Sequence, residues 1–91
     1  MANVVVSLRI MPESLDVDLE GLEEEVRKIV EDFISGGEVR IEKKPIAFGL
    51  SGLDVFFAMD EEKKLDVLEE GIREIKGVKG VEATDVRRAI G

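Results

Sequence analysis

The groups in this chain that could do chemistry are its carboxylates, arginines and lysines, because the 91 residues include no histidine and no cysteine. Disulfides, zinc or haem sites of the usual ligand types and imidazole acid–base chemistry are thereby excluded. Three acidic runs remain to be weighed. Asp16-Val17-Asp18-Leu19-Glu20-Gly21 imitates the first half of an EF-hand calcium loop, including the glycine at the sixth position. The twelfth position of such a loop needs a bidentate Glu and holds Arg27, so capping of a helix accounts for these acids better than calcium does. Glu23-Glu24-Glu25 and Asp60-Glu61-Glu62 fan around a helix axis instead of converging on one atom, as solvated acids complementing a helix dipole do. No phosphate loop, nucleophile elbow or dinucleotide fingerprint is present. An acid–base enzyme would have to run on carboxylates and lysines alone with no pocket signalled, so no catalytic, metal or cofactor residue is expected.

Composition narrows the partners. An apolar fraction of 44%, mostly Val, Ile and Leu, suffices for one core, and a charged fraction of 37% with two prolines points to a folded, well-solvated surface. The net charge of −8 argues against nucleic acid and anionic membranes, and it either steers the chain towards a basic protein or only keeps it in solution. No run approaches the ~20 apolar residues of a membrane span. Met1-Ala2-Asn3 lacks the basic leader of a signal peptide, and the absence of cysteine fits a reducing cytoplasm. Many Glu and Lys also suit a thermophile's composition.

The periodicity supplies the elements. Val4, Val6, Leu8 and Ile10 alternate with Val5, Ser7 and Arg9 in a half-buried strand that Pro12 ends. Leu19, Leu22, Val26, Ile29, Val30 and Phe33 then form a helical stripe, with Asp18 placed to cap it and Ser35-Gly36-Gly37 to stop it. Val39 and Ile41 read as a second strand that frays at Lys43-Lys44-Pro45. Leu53, Val55, Phe57 and Met59 face inward on a third, with Phe56 on the outer face either packing across strands on Val5 or marking a contact patch. Asp60 is placed to cap a second helix with the stripe Leu65, Leu68, Ile72 and Ile75, and Gly77 stops it. Val78 to Val86 reads as a last strand whose Val81, Ala83 and Val86 do not alternate cleanly, followed by the basic-then-apolar tail Arg87-Arg88-Ala89-Ile90-Gly91. The right-handed crossover rule turns this order into a ferredoxin-like βαββαβ two-layer α+β sandwich, a four-stranded antiparallel sheet with two helices on one face. That fold also carries RNA-binding domains, but here the sheet offers only Phe56 for stacking a base.

Between the second and third strands lies Pro45-Ile46-Ala47-Phe48-Gly49-Leu50, which holds one of only four aromatic residues. Two readings stand at this point: a hairpin connection with a buried Phe, or Phe48 held out for a partner with Gly49 freeing the backbone.

Three strings carry a resemblance: Met11-Pro12-Glu13-Ser14 after the first strand, Pro45 to Leu50 in the centre, and Thr84-Asp85-Val86-Arg87-Arg88 near the end. In this order on this fold, over essentially the whole chain, the sequence resembles the archaeal elongation factor 1-beta family. The resemblance implies one nucleotide-exchange domain over residues 1–91. It implies a cytoplasmic protein, monomeric when free, that engages the GDP-bound and nucleotide-free forms of the elongation factor 1-alpha GTPase. It also implies that Phe48 inserts into that GTPase near its nucleotide, with Gly49 permitting the turn and Pro45 stiffening the approach. Eukaryotic relatives use a lysine close to the C-terminus. The corresponding position here falls near Gly91, no lysine follows Lys79, and Arg87 or Arg88 is left as the substitute cation. The alternative from another class is a regulatory or small-molecule-binding ferredoxin-like domain, expected to dimerise around its ligand.

Overall fold

In the computed structural model, residues 3–88 are described, and the chain runs β1 (Asn3–Pro12), α1 (Leu19–Ile34), β2 (Val39–Ala47), β3 (Leu50–Asp60), α2 (Leu65–Arg73) and β4 (Val78–Arg88). The strands form one sheet in the order β2-β3-β1-β4, and all three pairings are antiparallel. This is the ferredoxin-like arrangement that the order of elements predicts. The last three tail residues, Ala89-Ile90-Gly91, lie outside the described residues, and with them the position corresponding to the eukaryotic lysine.

The core follows the inward strand residues. Val6, Leu8 and Ile10 of β1 and Leu53 and Val55 of β3 are wholly or almost wholly inaccessible to solvent. Leu22, Val26 and Val30 of α1 and Leu68 and Ile72 of α2 close over them. Each such side chain contributes roughly 1.5–3 kcal/mol by leaving water, so the single apolar face of each element is enough to fix its orientation. The spacing of helix α1 from strand β2 is held by Arg27, which donates to the Val39 carbonyl at 2.7 Å and pairs with Glu23 at 3.8 Å.

Several boundaries differ from the sequence pattern for local reasons. α1 does stop at Ser35-Gly36-Gly37, where all three residues take positive φ (59°, 91° and 125°); Ser35 is the C-cap, and Gly36 N–H closes on the Glu31 carbonyl at 3.0 Å. Asp18 does occupy the N-cap position of α1, but its side chain makes no capping hydrogen bond. Asp60 does not cap α2. It ends β3 and accepts from the Glu62 N–H at 2.9 Å in a local turn, and Lys64 is the N-cap residue. β2 does not fray at Lys43 but stays paired to Ala47, opposite Leu50. The irregular pattern of β4 has a direct cause: the register with β1 slips at Lys79 and again at Thr84, each time leaving one β4 residue without a partner. Thr84 fills its slip by donating its hydroxyl to the Ser7 carbonyl at 3.2 Å.

Candidate partner-binding site

The β2–β3 hairpin closes in two residues, Phe48 and Gly49, beyond the Ala47–Leu50 pair. Both have positive φ, 52° and 78°. Two-residue hairpins of this kind match the right-handed twist of the strands and favour Asn or Gly at the first position. A phenylalanine there is held in a conformation that costs roughly 1–2 kcal/mol for an ordinary L-residue. The ring gains nothing within the chain for that cost, since Phe48 is 97% exposed. Of the two readings of this stretch, the buried Phe is excluded: the side chain projects from the end of the sheet. A strained backbone that presents an exposed aromatic is a mark of a contact element.

The stem beneath the turn explains why the hairpin can be narrow. Register between β2 and β3 shifts between Pro45 and Ala47, so Ile46 is the extra residue. Its side chain lies across Gly52, where a Cβ would come within 2.6 Å of Ile46 Cδ1 and 2.9 Å of the Ile10 carbonyl oxygen. Pro45 sits on the outer strand, opposite Ser51, where its missing N–H breaks no bond of a central strand.

Arg87 and Arg88 are not brought to this hairpin. They pair with Val5 and Val4 at the start of β1, whereas the hairpin lies beyond the end of β1, next to Pro12. Arg87 bonds Asp85 at 2.8 Å and Arg88 bonds Glu61 at 2.7 Å. Both are exposed, so each ion pair can exchange for a partner's anion at small cost.

The open face of the sheet carries charge between these two ends. Arg9 donates to both carboxylate oxygens of Asp54, at 3.1 and 3.5 Å, and this hydrogen bonding holds the guanidinium pKa above its ordinary value. Glu42 receives Arg40 and, at 3.4 Å, Lys44. The hydrogen bond from Arg40 is the larger cause, and that from Lys44 the second, of a Glu42 pKa below the ordinary value. Phe56 stands opposite Ser7 and Arg40 rather than opposite Val5, whose partner is Ala58, and the Arg40 guanidinium lies 5.5 Å from its ring centroid. A cation already covers the ring that a base would need to stack on. A cleft of about 480 Å³ lies beside the start of α1 and is lined by Glu13, Asp16, Asp18 and Glu25 with Lys76. Among the described residues no three carboxylates are grouped so as to hold a metal ion.

The family model for the EF-1 guanine nucleotide exchange domain matches residues 5–89. The chain belongs to this family. Curated relatives named elongation factor 1-beta span nearly the whole of it. That of Methanothermobacter thermautotrophicus is 42% identical over 90 residues, covering 97% of this chain and 98% of the relative. That of Staphylothermus marinus is 37% identical over 91 residues with the same coverage, and that of Pyrococcus horikoshii is 35% identical over 88, covering 94% of each. A de novo designed protein, Foldit4, superposes with a TM-score of 0.63 at 22% identity over 98% of both chains, a likeness of fold alone. Membership in the exchange-domain family turns the geometry of the hairpin into a question about a GTPase. The structure adds one residue that the sequence pattern missed. Leu15, in the turn after β1, is 68% exposed; its only signal in the sequence is a lone Leu among Glu13, Ser14 and Asp16, outside the stripe of α1.

Proposed function

We propose that this chain promotes release of GDP from elongation factor 1-alpha, the GTPase of translation elongation, so that GTP can take its place. The match of residues 5–89 to the exchange-domain family carries this reading, and the exposed, strained Phe48 supports the site at which it acts. The factor makes and breaks no covalent bond. It binds the nucleotide-free GTPase more tightly than the GDP-bound form, and linkage then requires GDP to bind more weakly in its presence. Each tenfold weakening corresponds to ~1.4 kcal/mol of differential affinity, which a few contacts can supply. Once GTP binds, the factor leaves, so it cannot hold every state equally tightly.

In this reading Phe48 inserts into the GTPase, Gly49 and Pro45 set the backbone that carries it, and Arg87 or Arg88 offers a second contact to an anionic group. The whole chain acts as one exchange domain, monomeric when free and cytoplasmic. Its net charge of −8 steers it to a basic protein surface rather than to nucleic acid or membrane. No helix among the described residues is long and apolar enough to cross a membrane. The test is release of a fluorescent GDP analogue from purified elongation factor 1-alpha. Substoichiometric addition of this protein is expected to accelerate release. An unchanged rate at saturating protein would sink the proposal.

A further inference from the structure

We infer that Leu15 is a second apolar anchor, presented beside Phe48 to the same GTPase; the inference rests on the exchange reading and extends its contact surface. Leu15 is 68% exposed, yet the backbone that carries it is tied down. Glu13 N–H donates to the Gly77 carbonyl at 2.8 Å, Asp16 N–H to the Ser14 hydroxyl at 3.3 Å and Val17 N–H to the Ser14 carbonyl at 3.4 Å. A leucine on a fixed turn loses little entropy when a partner covers it, which is the condition for an anchor.

Its position links it to the hairpin. A Cβ built on Gly49 would stand 3.9 Å from Leu15 Cδ2. Pro12, Ser14 and Leu15 face Gly49, Leu50 and Ser51 across a cleft of about 80 Å³. The string Met11-Pro12-Glu13-Ser14, distinctive in the sequence, thus ends in a turn that sets Leu15 against the base of the Phe48 loop. Exposed Glu13 and Asp16 flank Leu15, and exposed Lys43 and Lys44 lie on the strand that leads to Phe48. The matching surface is an apolar recess with basic groups on the Leu15 side. A second copy of this chain, at net charge −8, brings like charge to that side and fits it poorly.

The experiment compares wild type, Leu15→Ser, Phe48→Ala and the double variant in GDP release from purified elongation factor 1-alpha, with thermal melting of each factor alone. Leu15→Ser is expected to melt as wild type and to raise the concentration for half-maximal stimulation on the order of tenfold, the loss of one ~1.4 kcal/mol anchor. The double variant is expected to lose less than the product of the two single losses, because neighbouring anchors couple. Wild-type stimulation by Leu15→Ser alongside a defective Phe48→Ala overturns the inference and leaves the exchange reading standing. No stimulation by the wild-type protein overturns both. Sedimentation at the assay concentration supplies the remaining outcome: self-association that Leu15→Ser abolishes assigns the residue to a dimer contact instead. If Leu15→Ser melts early, Leu15→Gln, which keeps the stem of the side chain, replaces it.

Discussion

Phe48 and Arg88 stand at opposite ends of one sheet: Phe48 tops the turn above the Ala47–Leu50 pair, and Arg88 pairs with Val4, one residue from the Asn3–Asp60 pair at the other end of β3. The eleven residues of β3, at about 3.3 Å each, put roughly 30 Å between them. A GTPase that meets both must lie along the long axis of a domain whose extent is 42 Å. Sites so far apart should act independently. The Arg87→Ala/Arg88→Ala double variant is expected to slow exchange less than Phe48→Ala does. Combining them should multiply the separate losses, as read from GDP-release rates; a combined loss no greater than that of Phe48→Ala would place the arginines outside the contact.

Stability and activity should move in opposite directions at residue 48. Phe48→Asn places a residue suited to positive φ in the turn, and the ring it removes is 97% exposed. The variant is expected to gain about 1 kcal/mol in denaturant unfolding while its stimulation of GDP release falls sharply. Reduced stability would show that the ring packs within the chain after all.

Gly52 is required for space and not for its backbone conformation. Gly52→Ala drives a methyl into Ile46 Cδ1 and the Ile10 carbonyl. The side chain can yield but the central strand cannot, so a loss of roughly 1–3 kcal/mol is expected. Amide shifts in an NMR spectrum should spread from residue 52 to Ile46 and Phe48, and exchange should weaken with them.

Glu42 gives the pH dependence. Its pKa is held low in the folded chain, chiefly by the hydrogen bond from Arg40 and then by Lys44. Its stabilising contribution is therefore complete above the ordinary glutamate range and is lost as pH falls through the lower folded value. A carboxyl titration followed by NMR should show Glu42 with a midpoint below that of a free glutamate. Arg40→Gln should move it upward, and high salt should do so in part. An ordinary midpoint in wild type would mean the pair does not persist in solution.

The helical and strand periods carried most of the architecture because one apolar face per element decides which way it turns. Where they misled, a local hydrogen bond had won. Asp60 is spent on the Glu62 N–H, which leaves Lys64 at the start of α2. Val81 and Val86 look out of phase because β4 slips register at Lys79 and Thr84. The site was legible only in part. Lys43-Lys44-Pro45 reads as a frayed end, and that hides how tight the turn is, so the direction of Phe48 could not be settled from the string alone. The turn that carries Leu15 is tied at Glu13 to the Gly77 carbonyl, 64 residues along the chain, a bond which no local pattern records.

The slips in β4 and the irregularity at Ile46 have a further effect. β2 and β4 are the outer strands, and each offers a free row of backbone donors and acceptors to any passing strand. Pro45 deletes a donor from one row, while Lys79 and Thr84 throw the other out of step, with Glu82, Arg87 and Arg88 exposed along it. Both margins of the sheet are thus poor templates for lateral growth. A nucleotide-exchange factor that has to stay free to meet its GTPase gains from edges that do not knit to one another.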